Sequence, residues 1–70
     1  NPTSNVLNVE LDQLTIEPVL NVYSMDGLLI LSERMTSQTQ SLDLSRLERG
    51  SYILELSADD YKEIIKVIKN

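Results

Sequence analysis

The side chains best suited to chemistry in this sequence are acidic and lie in two predicted turns. Asp59 and Asp60 are adjacent, with Glu63 three residues further on, and Asp26 precedes Gly27. Because Ca²⁺ takes carboxylate and carbonyl oxygens as ligands, either turn is a candidate calcium site. Neither has the spacing of a known calcium loop, and paired acids in turns are usually just solvated. We therefore predict no metal and no cofactor.

Nucleophilic and general-base catalysis lack their usual components. Serines such as Ser24 and Ser45 supply hydroxyl groups, but the chain has no His and no Cys. A hydroxyl nucleophile needs a base beside it, and His is the commonest one. Hydrolysis by two carboxylates needs a cleft, for which a chain of 70 residues has little room. The sequence predicts a domain that is not an enzyme.

Tyr23, Tyr52 and Tyr61 are the aromatic residues of the chain. Tyr23 and Tyr52 are candidates for a sugar-stacking platform like those of carbohydrate-binding sandwiches. Both stand beside Leu and Val in predicted strands, so a role in the core is favoured. A non-catalytic adhesive or carbohydrate-binding module, appended to a secreted hydrolase, is kept as the alternative function.

Charge is distributed unevenly along the chain. The net charge is −5, which argues against nucleic acid because phosphate binding needs a basic surface. All three lysines, Lys62, Lys66 and Lys69, lie in the last nine residues. Lysines can protect an exposed edge strand from mispairing, which is the favoured interpretation. The alternative is that a partner recognises a basic C-terminal segment.

Four runs show the alternation of apolar and polar residues that is typical of half-buried strands: 6–11, 19–24, 40–44 and 51–58. Residues 28–31 are apolar on both faces, which predicts a central strand covered twice. Residues 1–5 are predicted to form a turn, because Asn-Pro favours turn initiation. Residues 12–13 end the first strand, and 14–17 are compatible with a short extended piece.

Two connections carry recognisable turn chemistry. Asp26-Gly27 between β-rich runs predicts a hairpin, since Gly accepts positive φ at low cost. Residues 45–48 fit the capping-box pattern, with Ser45 accepting from the N3 amide and Glu48 reaching back. Gly50 is expected to end this single turn, and Leu47 to plug the end of the core. Tyr52 is expected to point inward from the strand that follows.

The last segment fits two templates. Tyr61, Ile64, Ile65 and Ile68 follow helical spacing, whereas the many β-branched residues between 61 and 69 favour a strand. A strand is the prediction, because five preceding strands leave a sheet edge without a partner. In that strand Lys62 and Lys66 share a face with Ile64 and Ile68.

Several short strands without a convincing long helix predict an all-β, antiparallel β-sandwich of about six to seven strands, forming one domain over residues 1–70. No apolar run reaches the roughly 20 residues of a membrane helix, and residues 1–5 lack the charged and apolar regions expected of a signal peptide. Because the sequence does not begin with Met, we expect it to be a piece of a longer secreted protein.

Three segments and the C-terminus carry a family resemblance. They are NPTSNVLNV (residues 1–9), LNVYSMDG (20–27), DLSRLERGSYIL (43–54) and the basic, β-branched C-terminal residues. In this order and spacing they resemble the type A C-terminal sorting domain of the Bacteroidota type IX (Por) secretion system. The resemblance covers essentially the whole chain.

This resemblance implies an immunoglobulin-like sandwich at the C-terminus of a cargo protein. It implies passage through the periplasm, recognition by the outer-membrane translocon, and in most members removal by a sortase-like cysteine peptidase outside the cell. The final strand matters for targeting in this family, so the implied recognition residues are Lys62, Ile65, Lys66, Val67, Ile68 and Lys69. The matching positions Asp26, Gly27, Leu47, Gly50 and Tyr52 are expected to be structural. A further alternative is an oligomerisation module, since unpaired strand edges can join protomers.

Overall fold

The computed structural model describes residues 2–3, 5–11 and 17–70, and these residues contain no helix. They form seven strands: β1 (Pro2–Thr3), β2 (Val6–Glu10), β3 (Val19–Ser24), β4 (Leu29–Arg34), β5 (Thr39–Asp43), β6 (Gly50–Ala58) and β7 (Tyr61–Lys69). The predicted all-β class and the predicted number of strands are confirmed. The extended piece considered for 14–17 and the strand end at 12–13 lie outside the described residues, except for Glu17.

The strands form two sheets of unequal size. Five strands make the large sheet in the order β1-β7-β6-β3-β4, and β2 pairs with β5 in the small one. All pairs are antiparallel except β1 with β7, which is a two-residue parallel contact. Two further backbone bonds lengthen the β2–β5 ladder at its ends, Leu11 N to Gln38 O at 2.8 Å and Leu44 N to Asn5 O at 2.7 Å.

The core lies between the two sheets and consists almost entirely of aliphatic side chains. Alternation along β2, β3, β5 and β6 directs one face of each strand inward, as the sequence pattern predicted. Met35 follows β4 outside the alternating runs and is nevertheless fully buried. The buried cluster comprises Leu7, Leu20, Val22, Met35, Leu42, Leu44, Leu54, Leu56 and Val67.

The prediction that residues 28–31 form a central, doubly covered strand is wrong. β4 is the last strand of the large sheet, and no described strand lies beyond it. Leu28 is 67% exposed and Leu29 51% exposed. The pairing of β4 with β3 shifts between Val22 and Tyr23, so the apolar run does not alternate regularly across the sheet. An apolar pattern on both faces indicated two buried faces, whereas the small sheet covers one.

The predicted turn over residues 1–5 is also corrected. Pro2 and Thr3 form β1, which pairs in parallel with Ile68 and Lys69 of β7. Asn5 is a bend before β2. Residues 1 and 4 lie outside the described part of the chain. A strand of two residues is too short to leave a periodic pattern, and proline at its start is compatible with a sheet edge.

The β3–β4 hairpin has the turn chemistry that the sequence predicted. Gly27 has a φ of +89°, a conformation that favours glycine. Its amide donates to Ser24 O at 3.0 Å, and the Ser24 hydroxyl accepts from Leu28 N at 3.1 Å. The Ser24 hydroxyl also bonds the Asp26 carboxylate. This bond holds the pKa of Asp26 below its usual value.

The β5–β6 connection is a single tight turn, but the predicted capping box does not form. Leu47 N donates to Leu44 O at 3.0 Å, and the carboxylate that caps the turn belongs to Asp43, which accepts from Ser45 N at 3.0 Å. Aspartate is an equally good capping acceptor and precedes the turn by the right distance. Gly50 leaves the turn with a φ of +147°.

Leu47 and Tyr52 fasten this turn to the sandwich as predicted. Both side chains pack against the buried cluster. The Tyr52 hydroxyl donates to Glu48 O, four residues back, at 2.6 Å. The same kind of tyrosine bond closes a corner in immunoglobulin-like sandwiches. The turn thus brings residues 44–48 against the end of β6, where Lys69 near the C-terminus contacts them.

Candidate functional site

β7 is the element on which the predicted recognition residues lie, and it is a strand over its whole length. It pairs antiparallel with β6 from Gly50↔Lys69 to Ala58↔Tyr61. This confirms the strand prediction over the helical alternative. On its other side β1 covers Ile68 and Lys69, and no strand among the described residues lies beside 61–67. Among the described residues, most of the β7 edge therefore has no backbone partner.

The two faces of β7 divide the six predicted recognition residues equally. Ile65, Val67 and Lys69 point toward the core, where Val67 is 2% exposed. Lys62, Lys66 and Ile68 point outward and are exposed. Ile64, which was not among the predicted recognition residues, shares the outward face and is 62% exposed. The alternation of side chains along the predicted strand places Ile64 on the outward face, opposite to Ile65.

Lys69 is the one buried charged residue among those described, at 8% exposed. Its Nζ atom donates to Leu47 O at 2.5 Å, and Ser45 O lies 3.5 Å away. Buried cations are tolerated where hydrogen-bond acceptors replace water, and the carbonyls of the β5–β6 turn do so here. The cation also contributes to lowering the pKa of Asp43, after the larger effect of the Ser45 hydrogen bonds. Lys69 thus joins the C-terminal end of β7 to the turn.

A polar network occupies the outward side of the large sheet. Glu55 Oε1 accepts from Asn21 Nδ2 at 3.1 Å and from the Tyr23 hydroxyl at 3.3 Å. Glu55 Oε2 is 3.5 Å from Lys62 Nζ, and the Ser32 hydroxyl donates to Asn21 Oδ1 at 2.7 Å. The hydrogen bond from Asn21 lowers the pKa of Glu55, and the Lys62 charge adds to that effect. The network connects all four long strands of the sheet.

Replacing Glu55 by Gln is expected to make stability less sensitive to acid. A carboxyl group whose pKa is lowered by folding stabilises the native state above its unfolded pKa, near 4.3. That stability disappears as the pH falls through the folded pKa. Thermal melts at pH 7 and pH 3 should show a smaller loss for Glu55→Gln than for the wild type. The same exchange at Glu10, exposed on the small sheet, is the control, and equal changes in both variants would contradict this role for Glu55.

The tyrosines do not form a platform. Tyr23 pairs with Ile53 on the outward side of the large sheet, whereas Tyr52 packs against the core on the inward side. Tyr61 is 53% exposed at the start of β7, where its hydroxyl bonds the Glu63 carboxylate. The prediction that Tyr23 and Tyr52 belong to the core is confirmed for Tyr52 and wrong for Tyr23. Strand alternation separates the rings, so no sugar can stack on both Tyr23 and Tyr52.

In the described part of the chain, no three acidic side chains come together as metal ligands would, and this includes the Asp59-Asp60 turn. A surface depression of about 480 Å³ lies between β2 and β5, lined by residues such as Asn8, Glu10, Gln40 and Ser41. Across the described residues, no helix is long and apolar enough to span a membrane.

Comparison with known proteins adds one finding. The family model described as "Secretion system C-terminal sorting domain" matches residues 1–70, the entire sequence. No curated protein matches the chain. The family match covers the same segments, from the opening Asn-Pro to the lysines of β7, whose arrangement is described above.

Proposed function

We propose that the secretion machinery recognises this chain through β7, proceeding from the fact that the chain belongs to the secretion system C-terminal sorting domain family. Membership makes it a C-terminal sorting signal for type IX secretion, which interacts with that machinery. Such a signal directs export to the outer membrane, the cell surface or the extracellular space. The family is normally non-catalytic. The adhesive or carbohydrate-binding alternative has no support.

Several finer assignments follow from the resemblance of the three sequence segments and belong to the proposal. The domain is of type A and comes from a member of the Bacteroidota. It forms the C-terminal domain of a longer secreted protein, which crosses the periplasm before it reaches the outer-membrane translocon. A sortase-like cysteine peptidase then acts on that protein at the cell surface.

The observation that carries the proposal is the β7 edge at 61–67, which no described strand covers, beside two exposed lysines. A free strand edge offers backbone donors and acceptors to an incoming strand, which is a common mode of peptide recognition. Lys62 and Lys66 lie on that strand and are exposed, so they add charge complementarity and favour rapid association. Ile68 contributes an exposed apolar contact beside them.

The other three predicted residues act in this proposal by holding β7 in place. Ile65 and Val67 face the core, and Lys69 binds the β5–β6 turn. Because a one-residue slip would turn every side chain of β7 to the opposite face, these inward contacts fix which residues the partner meets. In this proposal the inward face of β7 holds the strand in place and its outward face binds the partner.

The test is a reporter fused between a signal peptide and residues 1–70 in a bacterium with a type IX system. The double substitution Lys62→Gln, Lys66→Gln is expected to leave the reporter in the periplasm. The matched control is Arg46→Gln, Arg49→Gln, which removes the same charge from the exposed β5–β6 turn and is expected to be secreted. Equal secretion of the two variants would overturn the role of the β7 lysines.

A further inference from the structure

The outward side of the large sheet is a continuous surface, here called the open face. Its central row runs Leu29, Tyr23, Ile53, Lys66 across β4, β3, β6 and β7. Cross-strand partners in a sheet point to the same side, so these four side chains lie next to one another. The small sheet packs on the opposite side, and no element among the described residues covers the open face.

The open face exposes more apolar surface than the solvated face of a sheet usually does. Leu29 is 51% exposed and Ile64 is 62% exposed, while Tyr23 and Ile53 are half-buried between them. In an antiparallel sheet with one solvated face, the outward positions are normally polar. Contiguous apolar residues on such a face mark an interaction surface.

The charge of the open face is opposite to that of the rest of the molecule. Arg34, Lys62 and Lys66 lie on it with one carboxylate, Glu55, which already pairs with Lys62. The face therefore has a surplus of positive charge in a chain whose net charge is −5. Lys66 and Arg34 stand at opposite sides of the sheet, flanking the apolar centre.

We propose that the open face docks on a protein of the secretion machinery that presents carboxylates around an apolar patch. The inference rests on the proposed function and extends it from β7 to β3, β4 and β6. Complementary charge would orient the domain on its partner, and the apolar row would supply the buried centre of the interface. The partner would then bind the β7 edge and the open face together.

An anionic lipid surface fits the open face less well than a protein does. Glu55 lies in the middle of the face, where a phosphate group would meet its charge. The remaining surface of the domain is strongly acidic and would be repelled by an anionic membrane. A protein partner can instead place a donor opposite Glu55 and acids opposite Lys66 and Arg34.

The experiment introduces charges of opposite sign at Leu29 in the reporter fusion. Leu29→Glu places a like charge against an acidic partner and is expected to reduce secretion about tenfold, because a like-charge contact costs at least the roughly 1.4 kcal/mol to which a factor of ten corresponds. Leu29→Lys removes the same apolar contact but adds the favourable charge, so it should secrete clearly better than Leu29→Glu. Ser41→Glu and Ser41→Lys, on the outward side of the small sheet, are the controls and should both secrete normally.

Each outcome decides between the two proposals. Equal secretion of Leu29→Glu and Leu29→Lys would overturn an acidic partner for the open face. If neither differs from the wild type while Lys62→Gln, Lys66→Gln blocks secretion, recognition is confined to β7 and only the open-face inference fails. A photocrosslinker at Leu29 is expected to join the domain to a protein, and crosslinks to lipopolysaccharide alone would overturn the choice of partner. Thermal melts check that both Leu29 variants remain folded.

Discussion

The substitution Leu20→Ala is expected to unfold much of the domain and to abolish sorting, although β7 keeps its sequence. Leu20 is the second residue of β3 and is fully buried. Removing a buried leucine side chain costs about 2–5 kcal/mol, because transfer energy is lost and a cavity is left behind. A domain of this size has a total stability on the order of 5 kcal/mol. The variant therefore loses a large part of what holds β7 against β6.

Circular dichroism melts and the secreted fraction of the reporter fusion measure this effect. A loss of 2 kcal/mol or more should lower Tm by roughly 10 °C or more in a domain of this size. Leu28→Ala is the matched control, because the same exchange is made at a leucine that is 67% exposed. An unfolded Leu20→Ala variant that is still secreted would show that the signal is a linear segment and not a folded surface.

The strands were predictable because each long alternating run has one buried face. Residues 6–11, 19–24 and 51–58 became β2, β3 and β6 with their inward residues as expected. Asp26-Gly27 fixed the hairpin, since few dipeptides accept its backbone conformation. The exposure of β4 was not predictable in the same way. Apolar residues on both faces of a strand do not indicate how many layers pack against it. Here the small sheet covers only one side of the large sheet.

The strand that carries the candidate site could be predicted from the sequence, but the groups of other elements that lie beside it could not. Sequence alternation already placed Lys69 on the same side as Val67, although lysine is normally exposed. What the sequence could not supply was the acceptor group, since the Leu47 carbonyl comes from a turn 22 residues away. Likewise, the row of Leu29, Tyr23 and Ile53 depends on strand order, which periodicity within one strand does not determine.

A second large effect is expected for Lys69→Met. The change removes the donor to Leu47 O and leaves that carbonyl in a site that water fills poorly. An unsatisfied buried group costs about 1–3 kcal/mol, so Tm should fall by on the order of 10 °C. Lys66→Met, at an exposed position of the same strand, should change stability by less than about 0.5 kcal/mol.

The two lysine variants distinguish a residue that holds β7 in place from one that contacts the secretion machinery. Lys66→Met should lose secretion while its Tm stays at the wild-type value. Lys69→Met should lose both, and its secretion should recover at lower growth temperature, because more of the domain is then folded. Lys69→Arg retains a donor and should recover part of the lost Tm. If Lys69→Met melts with the wild type yet is not secreted, Lys69 meets the machinery directly, and the contact with the β5–β6 turn does not explain its importance.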